Sequence, residues 1–408
     1  MKIAIISNLY SPFVRGGAEV IAQLEAEGLK SAWQHVFVIS TRPRNIKIHG
    51  KSAIKPAHAT VSHDEINEIS IWRFSPINIF YYLNDFKYPS FVRLLWHLID
   101  TFNIFSYWTV KKILLKQKPD VVITHNIMGI GFLLPRLFSK LNIKHVHTLH
   151  DVQLVTPSGL IIKDKENSLE QIFFKAIGYV KVMRWLMGSP DIIISPSKFL
   201  LDFYKRSKFF PKSKKVVLPN PIKNLLNITK QSSYNLELVY LGQVNKAKGI
   251  LDLITNFKKS KQKHIRLHIV GVGADMAKAK RLAGKDKRIV WHGWLPSAQL
   301  VPLLAKMDVL VVPSLCYENS PTVIYESLSL GIPVLASDIG GVAELIQEGS
   351  NGWIFPAGDF EAMNKKINSI YKQRDKLSTL APNCRQSVSK HHIDKYSKKI
   401  LDLIDEIK

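Results

Sequence analysis

The sequence predicts an α/β protein of two doubly wound, Rossmann-like domains in series, facing across a cleft. Three observations carry that expectation. Short apolar runs recur in both halves, segments of helical period stand between them, and a polar stretch at 221–234 separates two such alternations. With 408 residues the chain is long enough for two domains and a large core.

In chain order, strands are expected at 2–7, 36–40, 121–126, 145–150, 192–197 and 215–219, most of them continuous apolar runs of the kind a buried parallel sheet requires. After the linker at 221–234, a second set is expected at 237–242, 265–271, 289–293, 309–314 and 332–336. The first domain is thus 1–220 and the second 235–389. A last helix, 393–407, carries Ile393, Tyr396, Ile400, Leu403 and Ile407 on one stripe. No internal repeat or low-complexity tract interrupts this order.

Hydrophobic content of 46% and charged content of 22% are ordinary for a soluble globular chain. The beginning, MKIAIISNLYSPF, reads as a strand and loop rather than a signal peptide, and no apolar run reaches spanning length. Cys316 and Cys384 offer neither a disulfide framework nor a metal site, and suit a reducing cytoplasm. The formal charge of +25 is the one unusual number, spread as +10 over residues 1–200 and +15 over residues 201–408. A diffuse excess suits general attraction to an anionic surface, here a membrane, better than a nucleic-acid groove. The densest basic cluster is KRSKFFPKSKK, with Phe209 and Phe210 interleaved; it reads either as a solvated face or as a membrane contact. Residues 72–108 are dense in aromatics, and 78–89 reads as a loop facing an acceptor or a membrane.

Candidate chemistry gathers in the stretch 308–358. A strand ends near Ser314, and a loop carries Glu318 to a helix whose start is written in Ser320, Pro321 and Thr322. Ser is a good N-cap and Pro is favoured at the first helical position, so the free amides around Thr322 should face an anion. Glu326 lies one turn after Thr322, on the same face. Two carboxylates flanking a phosphate-sized site suit a sugar attached to a nucleotide diphosphate.

Three further places bear on that site. The first strand runs into Gly16 and Gly17 at a helix start, where glycine permits positive φ and close approach to a phosphate. The strand containing His145 and His147 delivers His150 and Asp151 to its carboxyl end, where α/β proteins keep their chemistry; no second ligand pair makes the three histidines a metal site. In the second half, Gly242, Gln243, Lys248 and Gly249 follow the first strand, and Gly271-Val272-Gly273 the next.

Glu318 and Glu326, with seven residues between them and GIPVLASDIGGVAELIQEGSNGWIF following, closely resemble the signature of the retaining "group 1" glycosyltransferases of the GT-B fold, family 4 type. The resemblance covers nearly the whole chain, strongest at 237–358. It implies that Glu318 contacts the donor sugar and Glu326 the ribose. It further implies that Lys248, the Gly16-Gly17 loop and the Ser320-Pro321-Thr322 helix start meet the diphosphate, that His150 and Asp151 lie at the acceptor and donor sugar, and that the helix at 390–408 packs back on the first domain. By the same resemblance the reaction is a metal-independent, cofactor-free transfer with retention from a nucleotide-diphosphate sugar to a hydroxyl of a saccharide, lipid-linked, in capsule, lipopolysaccharide or other cell-surface polysaccharide synthesis. The expected place is cytoplasmic, on the inner face of the membrane.

Two departures from the family pattern matter. Gln243 stands where the family has arginine, and glutamine is a weaker anion partner; Lys246 or Arg15 is expected to compensate. Residues 152–158 depart from the usual acceptor-side sequence. The competing readings are a non-catalytic membrane-associated partner with a decayed donor site, and an epimerase or hydrolase of the same fold acting on nucleotide sugars.

Overall fold

The computed structural model describes residues 1–44, 47–48, 51–52, 61–166, 168, 178–223 and 233–407. Most of the expected linker, 224–232, lies outside them. The chain divides into two units: 1–159, 169–221 and 393–408 form the first, 160–168 and 222–392 the second.

In the first unit the elements run β1 (Lys2–Ile6), α1 (Gly17–Ser31), β2 (His35–Thr41), β3 (Ser62–Ile66), β4 (Ile69–Phe74), α2 (Ser90–Thr101), α3 (Ile104–Gln117), β5 (Val121–Thr124), α4 (Leu134–Lys140), β6 (Lys144–Thr148), α5 (Tyr179–Met187), β7 (Ile192–Ser195), α6 (Lys198–Arg206) and β8 (Lys214–Val217). They build one sheet in the order β8-β7-β6-β5-β1-β2-β4-β3. Every pairing is parallel except β3 with β4, an antiparallel edge hairpin. The sequence reading had no strand at 62–74. The β3 segment, SHDEI, is polar and exposed, so it lacks the apolar run that marked the others. Ile3, Ile5, Val38, Ile123 and Ile194 fill the core, in keeping with strands covered on both faces.

The second unit runs β9 (Leu236–Leu241), α7 (Ile250–Lys259), β10 (Ile265–Val270), α8 (Met276–Ala283), β11 (Ile289–Gly293), α9 (Ser297–Leu304), β12 (Val309–Val312), α10 (Thr322–Ser329), β13 (Val334–Asp338), β14 (Gly352–Pro356), α11 (Phe360–Lys372) and α12 (Leu377–Val388). Its sheet is wholly parallel, ordered β11-β10-β9-β12-β13-β14. The last helix, α13 (Ile393–Asp405), belongs to the first unit, where buried Tyr396, Ile400 and Leu403 join its core. Gly28 of α1 faces it so closely that a Cβ there would stand 2.3 Å from Ser397 Oγ.

Three expectations need correction. Phe209 and Phe210 do not face outward among the lysines: both are buried against Tyr204, and Phe210 also against His147. The basic cluster therefore presents charge without apolar anchors. The segment 78–89 is not a plain loop either; a 3₁₀ turn occupies Tyr82–Lys87, and Phe80 is buried, stacked on Tyr88 and Trp96. Finally, residues 160–168 belong to the second unit, although they interrupt the first in sequence. Their backbone hydrogen-bonds the loop after β12: Tyr317 N to Ile161 O at 2.9 Å, Lys163 N to Leu315 O at 2.9 Å.

Candidate active site

Strand order locates the crevices. In the second unit the chain winds outward from β9 to β10 and β11, then returns to β12 on β9's other side, so the switch point lies between β9 and β12, at whose carboxyl ends α/β proteins keep their ligands. The loop after β9 carries Gln243 and Lys248; the loop after β12 carries Glu318. They meet there. Lys248 Nζ stands 2.5 Å from Glu318 Oε1, and Ser314 Oγ donates to the same oxygen at 2.7 Å.

Local sequence explains the approach. Asn245 caps the turn by accepting from Lys248 N at 3.0 Å, and Gly249 then opens α7 with φ +71°. A Cβ on Gly249 would lie 1.8 Å from Pro313 O, so only glycine lets this turn press against the end of β12. Leu315 N and Cys316 N both bond Ala247 O, stitching the two loops together. On the other side Gly341 N donates to Glu318 O at 2.7 Å, and Gly340, with φ +63°, passes so near that a Cβ would lie 2.1 Å from the same oxygen.

The electrostatics follow. Burial alone would lower the Lys248 ammonium, but the Glu318 carboxylate and the bond to it win, and its pKa is raised. Lys248 is therefore a committed cation. Burial, with the nearby Glu318 charge, pushes the Cys316 thiol up to about 12, which makes it an inert filler. Glu318 Oε2 has no hydrogen-bond partner among the described residues.

The helix start differs by one residue from the expectation. Pro321 is the N-cap of α10, which begins at Thr322, and Ser320 does not cap it; Ser320 Oγ instead lies 2.7 Å from Tyr325 Oη. Pro has no side-chain acceptor, so the first-turn amides stay free of one. Glu326 follows one turn on, half-buried, and burial raises its carboxyl to about 7. Its side chain makes no hydrogen bond among the described residues. Gln243 is exposed, its amide oxygen accepting from Asn245 Nδ2 at 3.2 Å and its carbonyl from Tyr240 Oη at 2.7 Å. Gly242, with φ +148°, makes the turn before it.

In the first unit the corresponding switch lies between β1 and β5. Asn8 after β1 ties the two loops, with its amide N to Asn126 O at 2.8 Å and Nδ2 to Met128 O at 2.7 Å. Gly16 caps α1 in extended backbone, φ −162°, so positive φ is not what requires glycine there. Its N–H already donates to Glu19 Oε2 at 2.8 Å. Arg15, expected as a spare cation, is held by Asp85 at 3.0 Å and lies over Tyr82.

His150 is half-buried beyond β6, and burial depresses it to about 4. Its Nε2 lies 2.9 Å from His125 Nδ1, the first residue after β5. His125 Nε2 in turn faces Glu25 Oε2 at 3.6 Å, and Tyr396 Oη donates to that carboxylate at 3.0 Å. Thus α1 and α13 support the ring that holds His150. Sequence reasoning missed His125 and Glu25 and read Tyr396 only as part of an apolar stripe, although Glu25 sits on the stripe of Ile21, Ala22 and Leu29, where a lone carboxylate is out of place. Asp151 Oδ1 accepts from Gln153 N at 2.8 Å, and burial pushes its carboxyl up to about 7. His145 and His147 both bond Thr124 Oγ1, at 2.7 and 2.8 Å, in the core. Among the described residues no group of three His, Cys, Asp or Glu side chains is gathered to hold a metal ion.

Two doubly wound parallel sheets, with a Lys–Glu pair at the switch point of the second, define a glycosyltransferase of the GT-B fold. Residues 15–223 match Glycosyltransferase Family 4 and residues 235–373 match glycosyl transferases group 1, and the chain belongs to that family. It is 26% identical over 350 residues to an uncharacterised 42.6 kDa protein in the cps region of Klebsiella pneumoniae, covering 85% of this chain and 87% of that one. It is 29% identical over 110 residues to the lipopolysaccharide 1,6-galactosyltransferase of Salmonella typhimurium, covering 26% and 31%. With the capsular polysaccharide biosynthesis glycosyltransferase CapM of Staphylococcus aureus it shares 26% over 176 residues, 41% and 44%. Among solved structures, sucrose-phosphate synthase from Thermosynechococcus elongatus superposes with a TM-score of 0.74 at 18% identity, covering 100% of this chain and 98% of that one. Anabaena HepE in complex with UDP-glucose gives 0.70 at 15% identity, covering 100% of both. At such identities the structural likeness concerns the fold.

Proposed function

We propose that this glycosyltransferase moves a sugar, with retention and without a metal, from a nucleotide-diphosphate donor to a hydroxyl of a lipid-linked saccharide in cell-surface polysaccharide synthesis. The observation that carries the reading is the Lys248–Glu318 pair with one Glu318 oxygen left over at the switch point. Lys248 would meet the charge that gathers on the diphosphate as the bond to the sugar's anomeric carbon breaks. Glu318 Oε2 would accept from a sugar hydroxyl. The free amides at the start of α10 suit the phosphates, and the unpaired Glu326 carboxylate suits a ribose diol.

In the first unit, Gly16 and Gly17 are assigned to the donor diphosphate, and His150 with Asp151 to the sugars. Neutral at physiological pH, the His150 ring can bond a hydroxyl as donor or acceptor. The acceptor hydroxyl's proton goes to the departing phosphate oxygen, so no separate base is required. Relatives named for capsule and lipopolysaccharide synthesis, and a fold neighbour holding UDP-glucose, support the substrate class. The place proposed is the cytoplasmic face of the cell membrane.

The test is product formation from a panel of nucleotide sugars with lipid-extracted acceptor, followed by NMR of the anomeric centre, with and without EDTA. Transfer with the donor's anomeric configuration, unchanged by EDTA, is expected. Inversion, manganese-restored activity, or donor consumption without transfer would each overturn the proposal.

A further inference from the structure

Helix α2 is mounted with its apolar face outward. Phe91, Leu94, Leu95, Leu98, Ile99 and Phe102 recur at helical spacing and are all exposed, Phe91 at 68% and Leu98 at 59%. The opposite face is firmly held. Trp96 is buried with its Nε1 donating to Phe80 O at 2.8 Å, and Asp100 Oδ2 accepts from Gly129 N at 2.8 Å. The outward stripe is therefore fixed by its underside. Helix α3, which follows α2 after two residues, also carries exposed Ile104, Trp108 and Leu115, at helical spacing.

Along the two helices and the residues that join them, the exposed charge is of one sign. Between Phe86 and Pro119 stand Lys87, Arg93, Lys111, Lys112, Lys116 and Lys118, and the one carboxylate, Asp100, is buried beneath the helix. Lys111 lies over the Trp108 ring, 4.6 Å from its centre. A second copy docked on this face would bring the same cations against each other, since a two-fold interface pairs a patch with itself. A bilayer bearing anionic headgroups satisfies both the stripe and its rim. At 12 residues α2 is about 18 Å long, too short to cross a bilayer, so it would lie in the interface.

We propose that the outer face of α2, continued by α3, is the surface by which the first unit seats on an anionic lipid membrane. The seat is joined to the candidate site within that unit. Asp100 grips Gly129 in the loop that begins with His125, and the Tyr82–Lys87 turn leading to α2 holds Arg15 through Asp85. A saccharide carried on a lipid would thus be presented beside the residues assigned to it. This rests on the proposed function only for the identity of the acceptor, because vesicle binding needs neither donor nor acceptor.

The test is flotation of the full chain with vesicles of equal parts phosphatidylglycerol and phosphatidylcholine, against phosphatidylcholine alone. Binding to the anionic vesicles only is expected. Leu95→Glu with Leu98→Glu should weaken it at least about tenfold, while Trp33→Glu, at a 93% exposed residue after α1, should leave it unchanged. As a second readout, Leu98→Cys can be labelled selectively with a polarity-sensitive dye, because Cys316 and Cys384 are buried; its emission should shift to the blue on vesicles. No binding to anionic vesicles, equal binding by the double variant, an unshifted dye, or a solution dimer that the double variant splits would each overturn the proposal. Vesicle binding by a chain that shows no thermal shift with any nucleotide sugar would uphold the surface and sink the donor reading instead.

Discussion

At the scale of single residues the candidate site separates into groups already satisfied and groups left open. Lys248 is satisfied at rest by Glu318, so its ammonium gains most when a second negative charge develops on a departing diphosphate. Lys248→Ala should therefore lower kcat about a hundredfold with a smaller change in KM, measured by steady-state kinetics under saturating acceptor; a rise in KM alone would show that the lysine only binds. Glu326 is the open group. Its carboxyl is held at about 7 by burial, and a carboxylate accepts from two ribose hydroxyls where a carboxylic acid must keep one oxygen as a donor. Donor affinity should therefore strengthen as pH rises from 6 to 8, the direction in which Glu326 ionises, and Glu326→Gln should flatten that profile. Titration calorimetry against nucleotide sugar decides it; a profile unchanged in the variant would remove Glu326 from the donor site.

At the scale of elements the positions of Lys248 and Glu318 depend on backbone that only glycine can follow. Gly340→Ala would place a Cβ within 2.1 Å of Glu318 O and strain a φ of +63°, so the loop bearing Glu318 must move. Activity should fall at least about tenfold, since small misplacements of positioning residues are costly, while the melting temperature drops by only a few degrees. Turnover equal to wild type would show that the turn is not what places Glu318. The same elements show what was legible. The Glu318 loop and the α10 start could be read because apolar runs marked the strands and the loops after them open at carboxyl ends; Lys248 was singled out by the family resemblance alone, and the structure brings it to Glu318. The β3–β4 hairpin could not, because its polar edge strand lacks that signal. The crossing of residues 160–168 to the second unit was equally hidden, because a short chain segment paired to a distant loop leaves no periodicity. Phe209 and Phe210 misled for a related reason: local charge outvoted two aromatic rings whose burial is decided by Tyr204 and His147, far or near in sequence but on neighbouring elements.

At the scale of the whole molecule, burial has gathered two opposed sets of titrating groups. His97, His147, His150 and His391 are depressed to about 4, 3, 4 and 4, and His125 and His145 lie well below their ordinary value, all chiefly by desolvation. Each is neutral in the fold, so the stability it contributes is present above about pH 6.5 and is lost as pH falls, when only the unfolded chain can take the proton. Glu25, Asp151 and Glu326 are raised to about 7 and Asp100 to about 8, again chiefly by desolvation. For these the sign reverses: the folded chain holds protons the unfolded chain has released, and stability is lost as pH rises towards 7 and 8. Below pH 6.5 these six histidines, joined by His292, which burial also lowers, outnumber the four carboxyls and Glu19, which burial also raises, so stability should climb with pH. Above it the histidines no longer titrate in either state, and the carboxyls alone make stability decline. The melting temperature should accordingly peak near pH 6.5 and fall on both sides, measured calorimetrically in enough salt to screen the +25 surface charge. Asp100→Asn, which keeps an acceptor for Gly129 N without a proton to lose, should flatten the alkaline limb and steepen the acid limb, where Asp100 opposes the histidines. A melting temperature still rising between pH 6.5 and 8 would mean that the buried carboxyls are ionised in the fold, with cations or water reaching them.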